Sequence, residues 1–200
     1  MGESNFDTVI ASEFKLGSNP VAANGVGAVA GSGAVATETS GDGVHKTVIV
    51  FTNRVIALAD AAGVVAYGGS KVYDFPAGYI QFLGASCDLD ITKSSAGVND
   101  DWDGDFGVGR VTTSNNSTLS STEQDLIPTT PTPQAVAGVT TADGVSTGTE
   151  APKIFDGHTT AIDAYLNFLV DDADHDVTTT PCNLIVNGSL TIVWANLGDN

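Results

Sequence analysis

Apolar and polar positions alternate most regularly between Val64 and Ile91, in VVAYGGSKVYDFPAGYIQFLGASCDLDI. Lys71, Tyr73 and Phe75 interleave with Val72 and Asp74, and Ile80 and Phe82 interleave with Tyr79, Gln81 and Leu83. A period of two is that of a strand with one face buried, so the stretch predicts two antiparallel strands forming a hairpin around Pro76-Ala77-Gly78. Proline is acceptable in that connection because its missing N–H interrupts no ladder there and its fixed φ suits a turn. A one-residue slip would exchange the two faces, which fixes the register.

Thr47–Thr52 (TVIVFT) and Arg54–Leu58 (RVIAL) are Val- and Ile-rich runs separated by Asn53, and both predict short strands. A helix across VIALADAA is too short to compete among so many strands, and Asp60-Ala61-Ala62-Gly63 predicts a turn. FGVGRVTT (106–113) predicts a glycine-weakened strand, and the Ser/Thr/Asn run 112–122 a loop that bonds its own backbone. Glu123–Ile127 fits one helical turn or a strand. Pro128, Pro131 and Pro133 remove donors and fix φ, predicting an extended, unpaired, polyproline-like segment. Residues 138–152 are Gly-, Thr- and Ser-rich and carry no strand signal. Ile162, Ala164, Leu166, Phe168 and Val170 alternate with the polar Asp163 and Asn167, predicting a strand. Asn183–Val186 and Ser189–Trp194 flank Asn187-Gly188, a dipeptide suited to a type I′ turn, and predict a second hairpin.

Many short strands with Gly- and Pro-rich connections predict an all-β fold, an antiparallel β-sandwich with the jelly roll among its variants, and not a βαβ fold. Residues 17–43 differ, being almost entirely Gly, Ala, Val, Ser and Asn. Side chains this small bury little area while glycine loses the most entropy on ordering. Residues 1–43 are therefore expected to be an N-terminal arm, flexible or extended, and residues 44–200 the sandwich domain. Within the arm, Gly25-Val26-Gly27-Ala28-Val29-Ala30 matches a dinucleotide-binding pattern. It lacks the strand before it and the helix after it that the mechanism requires.

Net charge changes the picture of partners. Twenty-four acidic residues face seven basic ones, giving −17 in a chain that is 42% hydrophobic. Phosphate backbones and anionic membranes repel such a surface, so neither nucleic acid nor a membrane is an expected partner. A basic partner, or a setting rich in salt or divalent cations, fits better. The first residues, MGESNFDTVIASEF, do not read as a secretory signal, and no apolar run is long enough to span a bilayer. Cys87 and Cys182 lie among small and apolar residues without metal-ligand spacing, and predict two buried thiols in preference to a disulfide.

His45, His158 and His175 are the residues able to act as neutral-pH bases, and none lies in a catalytic motif. His158, after Asp156-Gly157, and His175, between Asp174 and Asp176, read as parts of solvated turns. The expectation is a protein that is not an enzyme and has no cofactor, structural Ca²⁺ being the one exception. Asn99, Asp101 and Asp103 occupy the first, third and fifth positions of a calcium loop, with Gly104 at the sixth. Arg110 stands where the bidentate Glu belongs. The candidate ligands are Asn99, Asp101, Asp103 and Asp105, with Asp172, Asp174 and Asp176 as a weaker set; a solvated acidic loop is the other reading of both.

DAAGVVAYGGSKVYDFPAG (60–78), NDDWDGDFGVG (99–109), DLIPTTPTPQAVAG (125–138), FLVDDADHD (168–176) and NLIVNGSLTIVWANLG (183–198) together resemble a virion-protein family of tailed bacteriophages. The resemblance covers roughly residues 45–200 and assigns no role to single residues. It implies a decoration or cement protein on the outer surface of the head, a homotrimer bound to the major capsid protein and bridging capsomers. The alternative is a head-fibre or tail β-sandwich binding a host receptor or glycan through exposed aromatics such as Trp102 and Tyr79.

Overall fold

The computed structural model describes residues 27–29, 31–41, 43–60, 65–114, 117–176 and 180–198. Among them are β1 (Ala28–Val29), β2 (Ala34–Gly41), β3 (Val44–Asp60), β4 (Val65–Asp74), β5 (Gly78–Lys93) and β6 (Gly104–Gly109). β7 (Ile127–Thr132), β8 (Val139–Val145), β9 (Lys153–Gly157), β10 (Asp163–Asp171) and β11 (Cys182–Asn196) complete the strands. Single 3₁₀ turns lie at Ser121–Glu123 and Asp172–Asp174.

The fold is all-β and sandwich-like, and every strand pair is antiparallel. One side runs β7-β6-β10-β4, with β1 against the end of β4. The other runs β2-β3-β11-β5, and β8 and β9 each pair with part of β5. β3 joins the two sides, because its last residues pair with β4 at Ala59↔Tyr67 and Asp60↔Ala66. Inward positions of both sides fill a single main core in which Trp102, Trp194, Tyr73, Phe51, Phe82, Phe106 and Phe168 are fully buried. A small second cluster of Val65, Leu119 and Leu169 covers the other face of β10, and Leu169 breaks the alternation there for that reason.

Several local readings change. The stretch around Pro76 is a corner, not a hairpin: β4 pairs with β3 and β10, β5 pairs with β11, β8 and β9, and Pro76 lets the chain pass from one side of the sandwich to the other. TVIVFT and RVIAL form one continuous strand, β3. Asn187-Gly188 is no hairpin turn either, since β11 runs straight through it. Both observations have one cause. The β3–β11 ladder passes from Gly188↔Phe51 to Val186↔Arg54, leaving Thr52 and Asn53 facing Asn187 as a β-bulge. Asn53 adopts φ +53°, which asparagine tolerates, and its N–H donates to Asn187 Oδ1 at 2.8 Å. Gly188, at φ +109°, lies so close to β5 that a Cβ would come within 2.2 Å of the Asp88 carbonyl oxygen.

The polyproline-like segment is paired as well. β7 takes Pro128 and Pro131 into a ladder with β6 and ends the strand order, and an edge is where proline's missing donor does least harm. Residues 138–152 contain β8, which carried no signal because its inward residues are Thr140, Ala142 and Gly144 while Val139 and Val145 face out. Part of the expected arm also belongs to the sheet. Ala34–Gly41 pairs along its whole length with β3, so the boundary after residue 43 falls at the turn of a β2–β3 hairpin. The first 26 residues, the dinucleotide-like pattern apart from Gly27-Ala28-Val29, and 61–63 of the expected turn lie outside the described residues.

Gly188→Ala is expected to destabilise the protein by more than about 1 kcal/mol, because it combines a positive φ with a backbone clash. Urea unfolding followed by circular dichroism measures it; a midpoint unchanged from wild type would show that β5 can move away freely.

Candidate functional site

Two clusters of titratable side chains stand out. The first is buried where β2, β3, β4 and β11 meet. His45, 3% exposed, stacks on Trp194 with ring centroids 4.2 Å apart and planes 11° from parallel. Its Nδ1 lies 2.6 Å from Glu38 Oε1, and the Tyr73 hydroxyl donates to Glu38 Oε2 at 2.8 Å. Trp194 Nε1 donates to Thr47 Oγ1 at 2.9 Å, and Thr47 Oγ1 lies 3.4 Å from the Tyr73 hydroxyl. Phe75, at the corner between β4 and β5, meets both Tyr73 and Trp194 edge-on. Burial first, and Glu38 after it, push the Tyr73 hydroxyl well above the usual phenol range, so it remains a donor.

A carboxylate against an imidazole has the make-up of an acid–base dyad. Here the second nitrogen, Nε2 of His45, is buried and has no hydrogen-bond partner among the described residues. The arrangement fastens strands: β11, β3 and β4 are linked by hydrogen bonds to Glu38, the acidic residue of β2. Arg54 fastens the neighbouring loop. Its guanidinium donates to Ser70 Oγ, Ser32 O and Lys71 O, and Gly31 lies where any Cβ would strike it.

The second cluster is the acidic one. The structure brings the two predicted sets together, with Val98 bridged to His175 and Asp176 N–H bonded to Gly97 O. Asn99 donates through its backbone to Asp174 O at 2.9 Å and through Nδ2 to Ala173 O at 3.0 Å. Asp103 N–H donates to Asp174 Oδ2 at 3.1 Å, and Asp171 N–H to Asp103 O at 3.1 Å. Burial, then the charges of Asp171 and Asp174, raise the Asp103 carboxyl above its ordinary 3.8. Asp105, on β6, is raised by burial. Asp101 is exposed, Asp176 contributes its backbone, and the side chain of Asp172 is outside the described set. Among the described residues no three His, Cys, Asp or Glu side chains are arranged to hold a metal ion.

The remaining candidates fall elsewhere. Trp102 is fully buried and donates through Nε1 to Gly138 O at 3.3 Å, so it is no exposed platform for a sugar; Tyr79 is 36% exposed. His158 is exposed on a turn whose N–H bonds Asp156 Oδ1, whereas both ring nitrogens of His175 are buried and not solvated. Both cysteines are free and buried. Burial pushes the Cys87 thiol up to about 12, and Cys182 Sγ lies 2.8 Å from Gly97 O. Among the described residues no helix is long and apolar enough to cross a membrane. Sequence reasoning missed Glu38, and it placed Asn167 on the polar face of its strand. Asn167 is fully buried, donates to Val111 O and Glu123 O, and accepts from Thr113 N–H, holding the 110–124 loop on β10. No family model, curated protein or solved structure matches the chain.

Two outcomes follow. Glu38→Gln is expected to cost about 1.5–3 kcal/mol, the range for hydrogen bonds to a charged group. Hydrogen exchange should then quicken in β2 and not in β10; unchanged β2 protection would mean that the ladder to β3 suffices alone. For Asp103, a carboxyl whose folded pKa is raised penalises the folded state increasingly as pH rises through and above 3.8. Asp103→Asn should therefore raise the melting temperature at neutral pH, with the gain vanishing near pH 3. A gain that is the same at every pH would contradict this. Adding Ca²⁺ in the same melts tests the ion reading, which requires stabilisation of wild type that the Asp103→Asn variant lacks.

Proposed function

We propose that this chain is a structural protein of a tailed-bacteriophage particle, a decoration or cement protein. It is held on the outer surface of the head, bound to the major capsid protein as a homotrimer and stabilising the shell by bridging capsomers. The observation that carries the reading is the spread of the resembling segments over the fold. Residues 60–78, 99–109, 125–138 and 168–176 supply β4, β6, β7 and the end of β10, which are consecutive neighbours on one side of the sandwich. Residues 183–198 supply nearly all of β11, the strand between β3 and β5. The resembling segments thus fall on four neighbouring strands of one side and on the central strand of the other. The use of polar groups is consistent with a structural role: His45, Glu38, Arg54, Asn167 and Glu123 tie strands and loops to each other.

Quantitative mass spectrometry of purified particles is the test, paired with electron microscopy of particles labelled on this chain. A copy number comparable with that of the major capsid protein, label over the head surface, and shells that melt lower when the protein is absent are the expected results. A few copies confined to the tail would favour the fibre reading instead, and absence from particles would overturn both.

A further inference from the structure

We infer that the outer face of β2, β3, β11, β5 and β8 is the face by which this chain docks on a partner protein, and that the partner meets it with aliphatic side chains bordered by lysine or arginine. The inference rests on the particle reading, in which that partner is the major capsid protein, and adds to it the face and the chemistry of the contact. Outward positions follow from the register and from the alternation of burial. One row crosses all five strands as Val35, Val50, Ser189, Asp88 and Asp143, and the row beside it as Thr37, Val48, Thr191, Ser86 and Val145. Val55 beside Ile185 extends the aliphatic side, and Asp90, two residues from Asp88, extends the acidic one. Val35, Val50 and Val55 are 70%, 48% and 56% exposed. The opposite sheet differs, because Asn167 holds the 110–124 loop on β10 and Leu119 clusters with Val65 and Leu169 there. Adjacent aliphatic side chains left in water mark a contact surface.

Charge identifies the occupant. Asp88 and Asp143 stand directly opposite each other in the β5–β8 ladder, both exposed, and among the described residues no salt bridge reaches either of them or Asp90. Like charges in that position oppose the pairing of their strands, and a cation from outside relieves the repulsion. A second copy offers little of the kind among its described residues. Arg54 is buried, and Lys71, Lys93 and Arg110 pair with carboxylates of their own chain, which leaves Lys46 and Lys153 on separate strands. Nucleic acid and anionic lipid bring more negative charge to the same aspartates. A protein surface with a basic border supplies both halves of the match, its aliphatic part over Val35, Val50 and Val55 and its lysines or arginines over Asp88, Asp90 and Asp143. The homotrimer contact then lies on another part of the chain.

Shells assembled from the major capsid protein alone, mixed with the full-length chain and sedimented, measure the contact. Val35→Asp with Val50→Asp should weaken binding by more than about tenfold. Asp88→Asn with Asp143→Asn should also weaken it and make it less sensitive to NaCl, because salt screens the charge pairs that these substitutions remove. Thr118→Asp, at an exposed position of the 110–124 loop, should bind as wild type does. If the valine pair misfolds when changed to aspartate, as read by circular dichroism, Val35→Thr with Val50→Thr keeps the β-branched shape and should weaken binding in the same direction. Wild type that does not bind the shells would overturn the particle reading and this inference together. Wild type that binds while both pairs of variants bind equally well would overturn this inference alone, the shell then being held by another face. Tighter binding by Asp88→Asn with Asp143→Asn would mean that the aspartates are repelled, and would overturn the basic border. Sedimentation equilibrium of the free chain covers the remaining case: an oligomer lost on Val35→Asp with Val50→Asp would put a second copy on this face and overturn the inference equally.

Discussion

The ladder between β3 and β11 is the constraint on which the rest of the structure depends. These are two of the longest strands, and the same ladder makes the core of one side of the sandwich and delivers β3 to the other. A flat pair of this length could not do both. The bulge at Thr52 and Asn53 resolves the conflict by adding one residue to β3, so that Phe51 and Arg54 both face inward and the strand bends toward β4. Asn187 accepts the N–H that the bulge releases, and Gly188 admits β5 at a distance no side chain would allow.

Around that bend the interior is not purely apolar, and several of its polar groups have partners that explain their burial. Asn167 meets two carbonyls and one N–H, and Glu123 accepts from Ser114 and Ser120. Arg54 has carbonyl and hydroxyl partners instead of a carboxylate, which accounts for the lowering of its pKa by burial. Such groups add little net stability where satisfied, but truncating one strands its partner without a bond. They therefore specify which loop lies on which strand more than they hold the core together. Glu38 fits this pattern, since β2 has small inward residues, Ala34 and Ala36, that contribute little hydrophobic area.

Strand existence was legible wherever the inward residues are large, as in β4, β5 and β10, because a period of two then shows on the page. It was illegible in β8, where the inward residues are small and the valines face out. Connectivity failed for a different reason. Asn-Gly and Pro-Ala-Gly report a local backbone need, a positive φ or a break in a ladder, and a bulge or a corner between layers meets that need as well as a hairpin does. The convergence of 99–105 with 171–176 was not readable either, because it follows from β6 lying beside β10, a pairing between strands far apart in sequence. Trp102 is the sharpest case. The fibre alternative counted it as exposed, yet the indole is fully buried in the core between Asp101, which is exposed, and Asp103, which is half-buried.

The distribution of charge then follows from the fold. Lys71 pairs with Asp74 and Asp163, Lys93 with Asp100, and Arg110 with Asp125, while Arg54 is buried. Three of the six described Lys and Arg residues therefore offset carboxylates of the same chain and contribute little to the outward field. What remains outside is anionic over most of the surface and nearly neutral on the outer side of β2, β3 and β11. Such a surface discriminates by exclusion, because like charges brought together cost several kcal/mol by general experience with interfaces. Orientations that bring carboxylates face to face are rejected early, at separations of about a Debye length, roughly 8 Å at physiological salt.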